Sequence, residues 1–370
     1  MKITCWMNLL TPHWQQTLTR LAALAGEAID VYADTPGNDA DRAQFGWTNE
    51  VLAAANVVVH LKPDISLLRD RDWRGSVHLV CNPFNNKTNR KMLNVFDRQG
   101  VSYGFQQSLP GLISGPIGRL ARNLAYRTVF LPALKRARFI LCHGEFCRNY
   151  LTKVGVPTAR LFDSGYFVQP DPHLLSQIAS RPPAADAARF VFLGQFIERK
   201  QVIPLTQALR TSGPNQPWTL DFIGTGAQRD ELAGLIWRDG VRVLPPIGYA
   251  DVVPTLSRYD CLVLPSRADE WAVVINEAIH AGCAVICTDQ CGGADLVRHG
   301  ACGVVVGDAA SCAQAMTDLA GDLPRLNRYR DAARQLSPRI DSTHGAHYLW
   351  SVIQHATGHG PRPVPPWITS

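Results

Sequence analysis

The sequence predicts an α/β fold made of two doubly wound, Rossmann-like domains, and three observations carry that reading. Short apolar runs alternate with helical stretches along most of the chain, the pattern of parallel sheets covered on both faces. The alternation breaks in a proline-rich stretch and restarts beyond residue 188. The length of 370 residues is more than twice the roughly 150 typical of one domain.

In the first half the expected strands are Ile3–Met7, Ile29–Ala33, Val57–Leu61, Val77–Cys81, Val101–Phe105 and Phe139–Cys142. Helices are expected at Gln16–Ala25, Asn49–Ala55, Asn89–Arg98, Ile117–Ala137 and Glu145–Val154. Pro170, Pro172, Pro182 and Pro183, with an Ala-rich polar run, mark a linker holding a short helix. Strands resume at Arg189–Leu193, Thr219–Ile223, Val241–Leu244, Cys261–Pro265, Ala284–Thr288 and Gly303–Val306. Between them helices are expected at Pro204–Arg210, Gln228–Trp237, Asp251–Ser257 and Trp271–Ala281. The expected division is a domain over 1–165, a linker over 166–188, a second domain over 189–340, and a C-terminal helix and tail over 341–370 that packs back on the first domain. Two such domains facing each other would place a cleft between the C-terminal edges of their strands, where these sheets bind ligands.

Hydrophobic residues make up 46% and charged residues 18%, which excludes disordered, collagen-like and coiled-coil classes. A membrane-spanning helix needs about 20 nearly uninterrupted apolar residues, and the best run, Trp271–Ala281, is broken by Asn276, Glu277 and His280. Asn8, Thr11, Pro12 and His13 stand where a signal peptide would be apolar, so the start reads as mature and the chain as cytoplasmic. Ten cysteines are too dilute for a disulfide scaffold and read as reduced core thiols. Cys283, Cys287 and Cys291 fall on or beside a strand, where residues four apart stand about 13 Å apart, so no metal site is expected. His344, His347, His355 and His359 are interrupted by Gly345, Gly358 and Gly360, and read as a solvated tail rather than a helical ligand row.

The charge is uneven. Residues 1–180 carry 20 Lys and Arg against 13 Asp and Glu, and residues 181–370 carry 17 against 18. Between Lys87 and Arg160, 13 cations face only Asp97 and Glu145. An anionic partner is expected there, a phosphate-bearing molecule or an anionic membrane surface; a solvated basic face is the other reading. Nucleic acid is not expected, because no recognition motif or aromatic RNA-binding signature accompanies the charge.

Three strand-to-helix turns of the second half carry candidate chemistry. Gly194 follows a buried strand and precedes Arg199-Lys200, two cations able to neutralise a diphosphate. Gly224-Thr225-Gly226 lacks the third glycine of a dinucleotide fingerprint, so hydride chemistry is unsupported. In the third turn, Pro265-Ser266 leads through Asp269-Glu270-Trp271-Ala272 to a helix carrying Asn276 and Glu277. Carboxylates there suit the hydroxyls of a sugar or ribose beside a diphosphate. The competing readings make Asp269 a helix cap and Glu277 a solvated helix position.

The run Pro265-Ser266, Asp269, Trp271-Ala272, Val274, Asn276-Glu277-Ala278, followed by Gly282, Val285-Ile286, Gly293, Asp295-Leu296-Val297 and Gly300, resembles the donor-site signature of retaining glycosyltransferase family 4, the glycosyl transferases group 1. Gly194 to Lys200 resembles that family's diphosphate motif, and Gly144, Arg148, Tyr150-Leu151 and Gly155-Val156 its segment before the interdomain crossover. Together these cover roughly residues 140–310 in order. The resemblance implies the GT-B fold, with Rossmann-like domains facing across a cleft and the sugar nucleotide held mainly by the second. It implies that Arg199 and Lys200 bind the diphosphate, Glu277 the ribose and Asp269 the transferred sugar, and that these four carry catalysis. It further implies that Gly194, Gly224, Glu270, Trp271, Ala272 and Val273 complete the donor site, the amides of the last three cradling phosphate. His13 and Ser108 are the candidates for contacting the acceptor.

The chain departs from the family at Asp269, usually Glu, at Ala272, usually Gly, and at Gln195, usually Arg; the usual Gly-Gly after the first strand is missing from Asn8 to His13, and Phe105-Gln106-Gln107-Ser108 stands where a histidine is common. The implied reaction moves a hexosyl unit from a nucleoside diphosphate sugar to an acceptor hydroxyl with retention, without metal or other cofactor. The implied acceptor is a lipid-linked or other glycan of bacterial surface polysaccharide synthesis, met at the inner face of the cytoplasmic membrane. Ile117, Leu120, Leu124, Phe130, Leu131 and Leu134, interleaved with Arg119, Arg122, Arg127, Lys135, Arg136 and Arg138, would give a basic amphipathic surface there, or else bury their apolar members in the core. The alternative function is a catalytically silent partner protein that binds sugar nucleotides.

Overall fold

The apolar runs of the first half become strands β1 (Lys2–Met7), β2 (Ile29–Ala33), β3 (Val57–Leu61), β4 (Ser76–Cys81), β5 (Tyr103–Gln107), β6 (Ile140–His143) and β7 (Leu161–Ser164) in the computed structural model, which describes residues 1–35, 55–84, 86–108, 116–211 and 217–368. The helix expected at Asn49–Ala55 falls almost wholly outside them. The chain divides into one unit of Met1–Gln169 with Ser342–Pro366 and another of Pro170–Asp341 with Trp367–Ser370. The stretch read as a linker splits between the two, and its helix spans Pro172–Ala179.

The first unit's sheet is parallel throughout, in the order β3-β2-β1-β4-β5-β6-β7. Winding reverses between β1 and β4, which makes it doubly wound. Alternate residues of β1 face opposite sides, and Trp6 stacks on Tyr32 at 4.4 Å within an aromatic cluster that includes Trp73, His78 and Phe96. The long helix expected over Ile117–Ala137 is interrupted. Pro116–Ala125 passes into a π-helical turn, Tyr126–Phe130, before Leu131–Arg136. Pro132 has no N–H to donate, and Leu131 reaches back to the Tyr126 carbonyl instead.

The helix Ser342–Ala356 belongs to the first unit and packs on helix Pro12–Ala25. Arg20 donates to Thr343 Oγ1 and to Gln169 Oε1, each at 3.0 Å. This corrects the reading of the C-terminal histidines as a tail whose glycines break helical register. Gly345 lies inside the helix, where a Cβ would stand 2.3 Å from the Phe167 ring. The glycine is there for close packing, and the helical period outweighs its propensity cost of about 1 kcal/mol.

The second unit's strands are β8 (Ala188–Leu193), β9 (Trp218–Ile223), β10 (Val241–Leu244), β11 (Cys261–Leu264), β12 (Ala284–Thr288) and β13 (Gly303–Val306). They form another parallel sheet, in the order β10-β9-β8-β11-β12-β13. β11 and β12 are buried along their whole length, as near-continuous apolar runs require. All ten cysteines are free and buried. Among the described residues no helix is long and apolar enough to cross a membrane.

Candidate functional site

The second sheet reverses its winding between β8 and β11, and the loops singled out in the sequence leave the C-terminal ends of those strands. Gly194, after β8, has φ +152°, and Gly224, after β9, has φ +151°. A Cβ on Gly224 would stand 1.9 Å from the Gly194 carbonyl oxygen. This glycine therefore makes room for neighbouring backbone, a role the sequence did not distinguish from ligand approach.

The 3₁₀ turn Glu198–Lys200 brings two cations onto the loop after β11. Arg267 donates its amide to the Arg199 carbonyl at 2.8 Å, and Arg199 Nη1 donates to the Ala268 carbonyl at 3.1 Å. Arg199 also lies 3.6 Å from the Asp269 carboxylate, to which the Lys200 ammonium donates directly. Lys200 is only 8% exposed, so the pair is screened little by solvent.

The loop itself is clamped from the turn after β12. Asp269 donates its amide to the Gln290 carbonyl at 3.0 Å, and Gly292 and Gly293 donate theirs to the carbonyls of Asp269 and Trp271 at 3.1 and 2.7 Å. A Cβ on Gly292 would meet the Glu270 carbonyl oxygen at 2.2 Å, so only glycine lets the two segments lie this close. Ala272 is left-handed at φ +65°, which costs a residue with a Cβ about 1–2 kcal/mol. Glycine would adopt this backbone without that cost, and this chain carries the strain. Glu270 is exposed, Val273 half-buried and Trp271 buried, with its Nε1 donating to Asn276 Oδ1 at 2.8 Å.

Helix Val274–His280 starts later than expected, and its N-cap residue Val273 makes no side-chain capping bond. Asp269 is therefore not a cap. Glu277 is not a solvated position either, being 7% exposed. Burial pushes its carboxyl up to about 7. Nearby, the Tyr249 phenol is pushed up by its own burial and by the Glu277 charge. Arg199, Lys200 and Asp269 thus meet directly, while Glu277 stands apart, buried in the following helix.

At the first unit's own switch point, between β1 and β4, opens a cavity of about 220 Å³. Asn8, Thr11, Trp14, Asn82, Gln106 and Tyr166 contribute to its lining, and every lining residue is uncharged. Ser108 lies beyond it, its amide donating to Asn82 Oδ1 at 3.0 Å and its hydroxyl 2.9 Å from His143 Nδ1. The Gln106 amide nitrogen is 2.7 Å from His143 Nε2, so Nε2 accepts and Nδ1 carries the proton toward Ser108. Burial pushes His143 down to about 3 and His13 down to about 4. His13 borders a smaller void with Trp14 and Tyr166 rather than the cavity. The sequence had no means of selecting Asn8, Asn82, Tyr166 or His143, because their grouping follows from which strands are neighbours. The position of Asn8 and Asn82 just past strand ends was the only available sign.

The basic stretch divides between surface and core. Leu120, Leu124 and Val129 are 72%, 62% and 64% exposed, whereas Leu134 is buried and Phe130 and Leu131 pack against the core. Arg127 and Lys135 are exposed and Arg122 half-buried, while Arg136 is tied to Asp97 at 2.7 Å. The side chains of Ile117 and Arg119 lie outside the described residues.

Residues 187–322 match the family described as Glycosyl transferases group 1. Glycogen synthase of Mycobacterium tuberculosis is 28% identical over 186 residues, 48% of this chain and 43% of that protein, so the chain matches less than half the length of this curated relative. Among solved structures, Anabaena Alr3699/HepE in complex with UDP superposes with a TM-score of 0.67 at 16% identity, covering 96% of this chain and all of that one. WaaG, a glycosyltransferase involved in lipopolysaccharide biosynthesis, gives 0.60 at 16% identity over 95% and 99% of the two chains. Sucrose-phosphate synthase of Thermosynechococcus elongatus gives 0.66 at 14% over 97% and 100%. The fold is thus that of the GT-B glycosyltransferases, and residues 187–322 match the Glycosyl transferases group 1 family.

Proposed function

We propose that this chain is a retaining glycosyltransferase that moves a hexosyl unit from a nucleoside diphosphate sugar to an acceptor hydroxyl. The observation that carries the reading is the meeting of Arg199 and Lys200 with Asp269 at the switch point of the group 1 domain. In the free protein Lys200 rests on Asp269. A diphosphate brings more negative charge than one carboxylate, takes both cations, and leaves Asp269 to accept hydrogen bonds from the transferred sugar. Glu277, isolated by burial, ionises when ribose hydroxyls donate to it. As the glycosidic bond breaks, charge grows on the leaving diphosphate, and Arg199 and Lys200 stabilise it from fixed positions. Attack on the same face, with the leaving phosphate taking the acceptor proton, requires no protein nucleophile. Cations of the chain do the neutralising, so the reaction is metal-independent. UDP and UDP-glucose in complexes of the Anabaena HepE protein support a sugar nucleotide as donor.

The uncharged cavity of the first unit suits sugar hydroxyls, through Asn8, Asn82 and Gln106, and a sugar face, through Trp14 and Tyr166. A glycan or lipid-linked acceptor follows. The exposed leucines among cations favour an anionic membrane, at its cytoplasmic face. Calorimetry tests the donor site: Lys200→Ala should weaken a nucleoside diphosphate by about 1.5–3 kcal/mol and leave the nucleoside nearly unchanged. Equal losses would remove Lys200 from the phosphate site. Release of free sugar from the donor separates an enzyme from a silent binding protein.

A further inference from the structure

We propose that Trp367 is a positioning residue for the donor loop, holding Ala272 in a left-handed backbone that glycine would adopt unaided. The segment up to Pro366 belongs to the first unit, but Trp367 returns to the second. There it is 1% exposed, with its ring centroid 6.1 Å from that of Trp271.

Trp271 is fixed by its ring bond to Asn276, by the Gly293 amide on its carbonyl and by the Trp367 ring. The next residue, Ala272, has φ +65°, and a strained backbone of this kind persists only where its surroundings over-determine it. Removing the Trp367 ring opens space beside Trp271, lets Ala272 relax, and moves Asp269 to Val273 away from Arg199 and Lys200. Glycine at 272 needs no such support.

This inference rests on the donor-site reading above. The test is calorimetry of UDP, ADP and GDP on the full chain and on Trp367→Ala, Ala272→Gly and the double variant, with melting temperatures recorded alongside. Trp367→Ala should weaken the best-bound nucleotide about tenfold, or about 1.4 kcal/mol, and the double variant only about threefold relative to Ala272→Gly alone. Trp367→Phe, with about a threefold loss relieved by Ala272→Gly, takes its place if the alanine variant does not fold. A lowered melting temperature with unchanged affinity, or a loss that Ala272→Gly does not lessen, makes Trp367 a packing residue and overturns the inference alone. A parent chain that binds none of the three nucleotides sinks the donor-site reading and this inference together.

Discussion

Replacing Glu277 by Gln should stabilise the chain, by an amount that grows with pH. Burial pushes this carboxyl from its usual 4.5 to about 7. Below pH 4.5 it is protonated in both the folded and the unfolded chain, so its ionisation contributes no difference there. Between 4.5 and 7 the unfolded chain ionises while the folded chain does not, and stability falls by about 1.4 kcal/mol for each pH unit. Above 7 the whole deficit is present, about 3 kcal/mol. Glutamine carries no such deficit. At about 2–4 °C per kcal/mol for a unit of this size, Glu277→Gln should melt roughly 6–12 °C above the parent at pH 8 and close to it at pH 4.5. Scanning calorimetry across that range decides the matter: a gain that does not vary with pH, or none at pH 8, refutes the assignment of a buried, uncompensated carboxyl. On the proposed reading, in which ribose hydroxyls donate to Glu277, the same proton enters binding. A ribose diol that donates to ionised Glu277 must first displace its proton, so below pH 7 the affinity for a ribonucleoside diphosphate should rise about tenfold per pH unit, a dependence Glu277→Gln abolishes.

Two further outcomes are expected. Asp269→Asn should cut transfer at least tenfold, about 1.4 kcal/mol of transition-state stabilisation, and Glu270→Gln less, because Asp269 pairs with both Arg199 and Lys200 while Glu270 is exposed; steady-state kinetics giving the reverse ranking would make Glu270 the sugar-contacting carboxylate. The chain should sediment with anionic vesicles at low salt and release at high salt, each surface cation contributing about 1 kcal/mol, and replacing Arg122, Arg127 and Lys135 by Ser, or Leu120 and Leu124 by Ser, should abolish this; unchanged binding would leave the basic stretch a solvated face.

Legibility in the sequence followed the range of the forces involved. β1, β2, β3 and β8 to β13 were readable because apolar runs bounded by turn residues report local burial directly. β7 was missed, since Leu161–Ser164 is short and half polar, and its place at the sheet edge comes from pairing with β6. Gly345 was misread for a related reason. A glycine suggests a break when only propensity is considered, whereas here its missing side chain admits Phe167, a residue 178 positions earlier in the sequence.

The candidate site shows the same limit more sharply. Motif spacing singles out Arg199, Lys200, Asp269 and Glu277 as candidates, yet it could not give their condition in the fold. Lys200 and Asp269 are 69 residues apart, and they meet because β8 and β11 are neighbours in the sheet, an order no local pattern encodes. The departure to Ala at position 272 was visible as a missing glycine, but its meaning required φ. Had the loop been extended there, alanine would be an innocuous change; at φ +65° it is a strained one. A substitution's cost therefore sits in the backbone that receives it, and at this loop that backbone is held by the amides of Gly292 and Gly293, about 20 residues further along the chain and on the far side of β12.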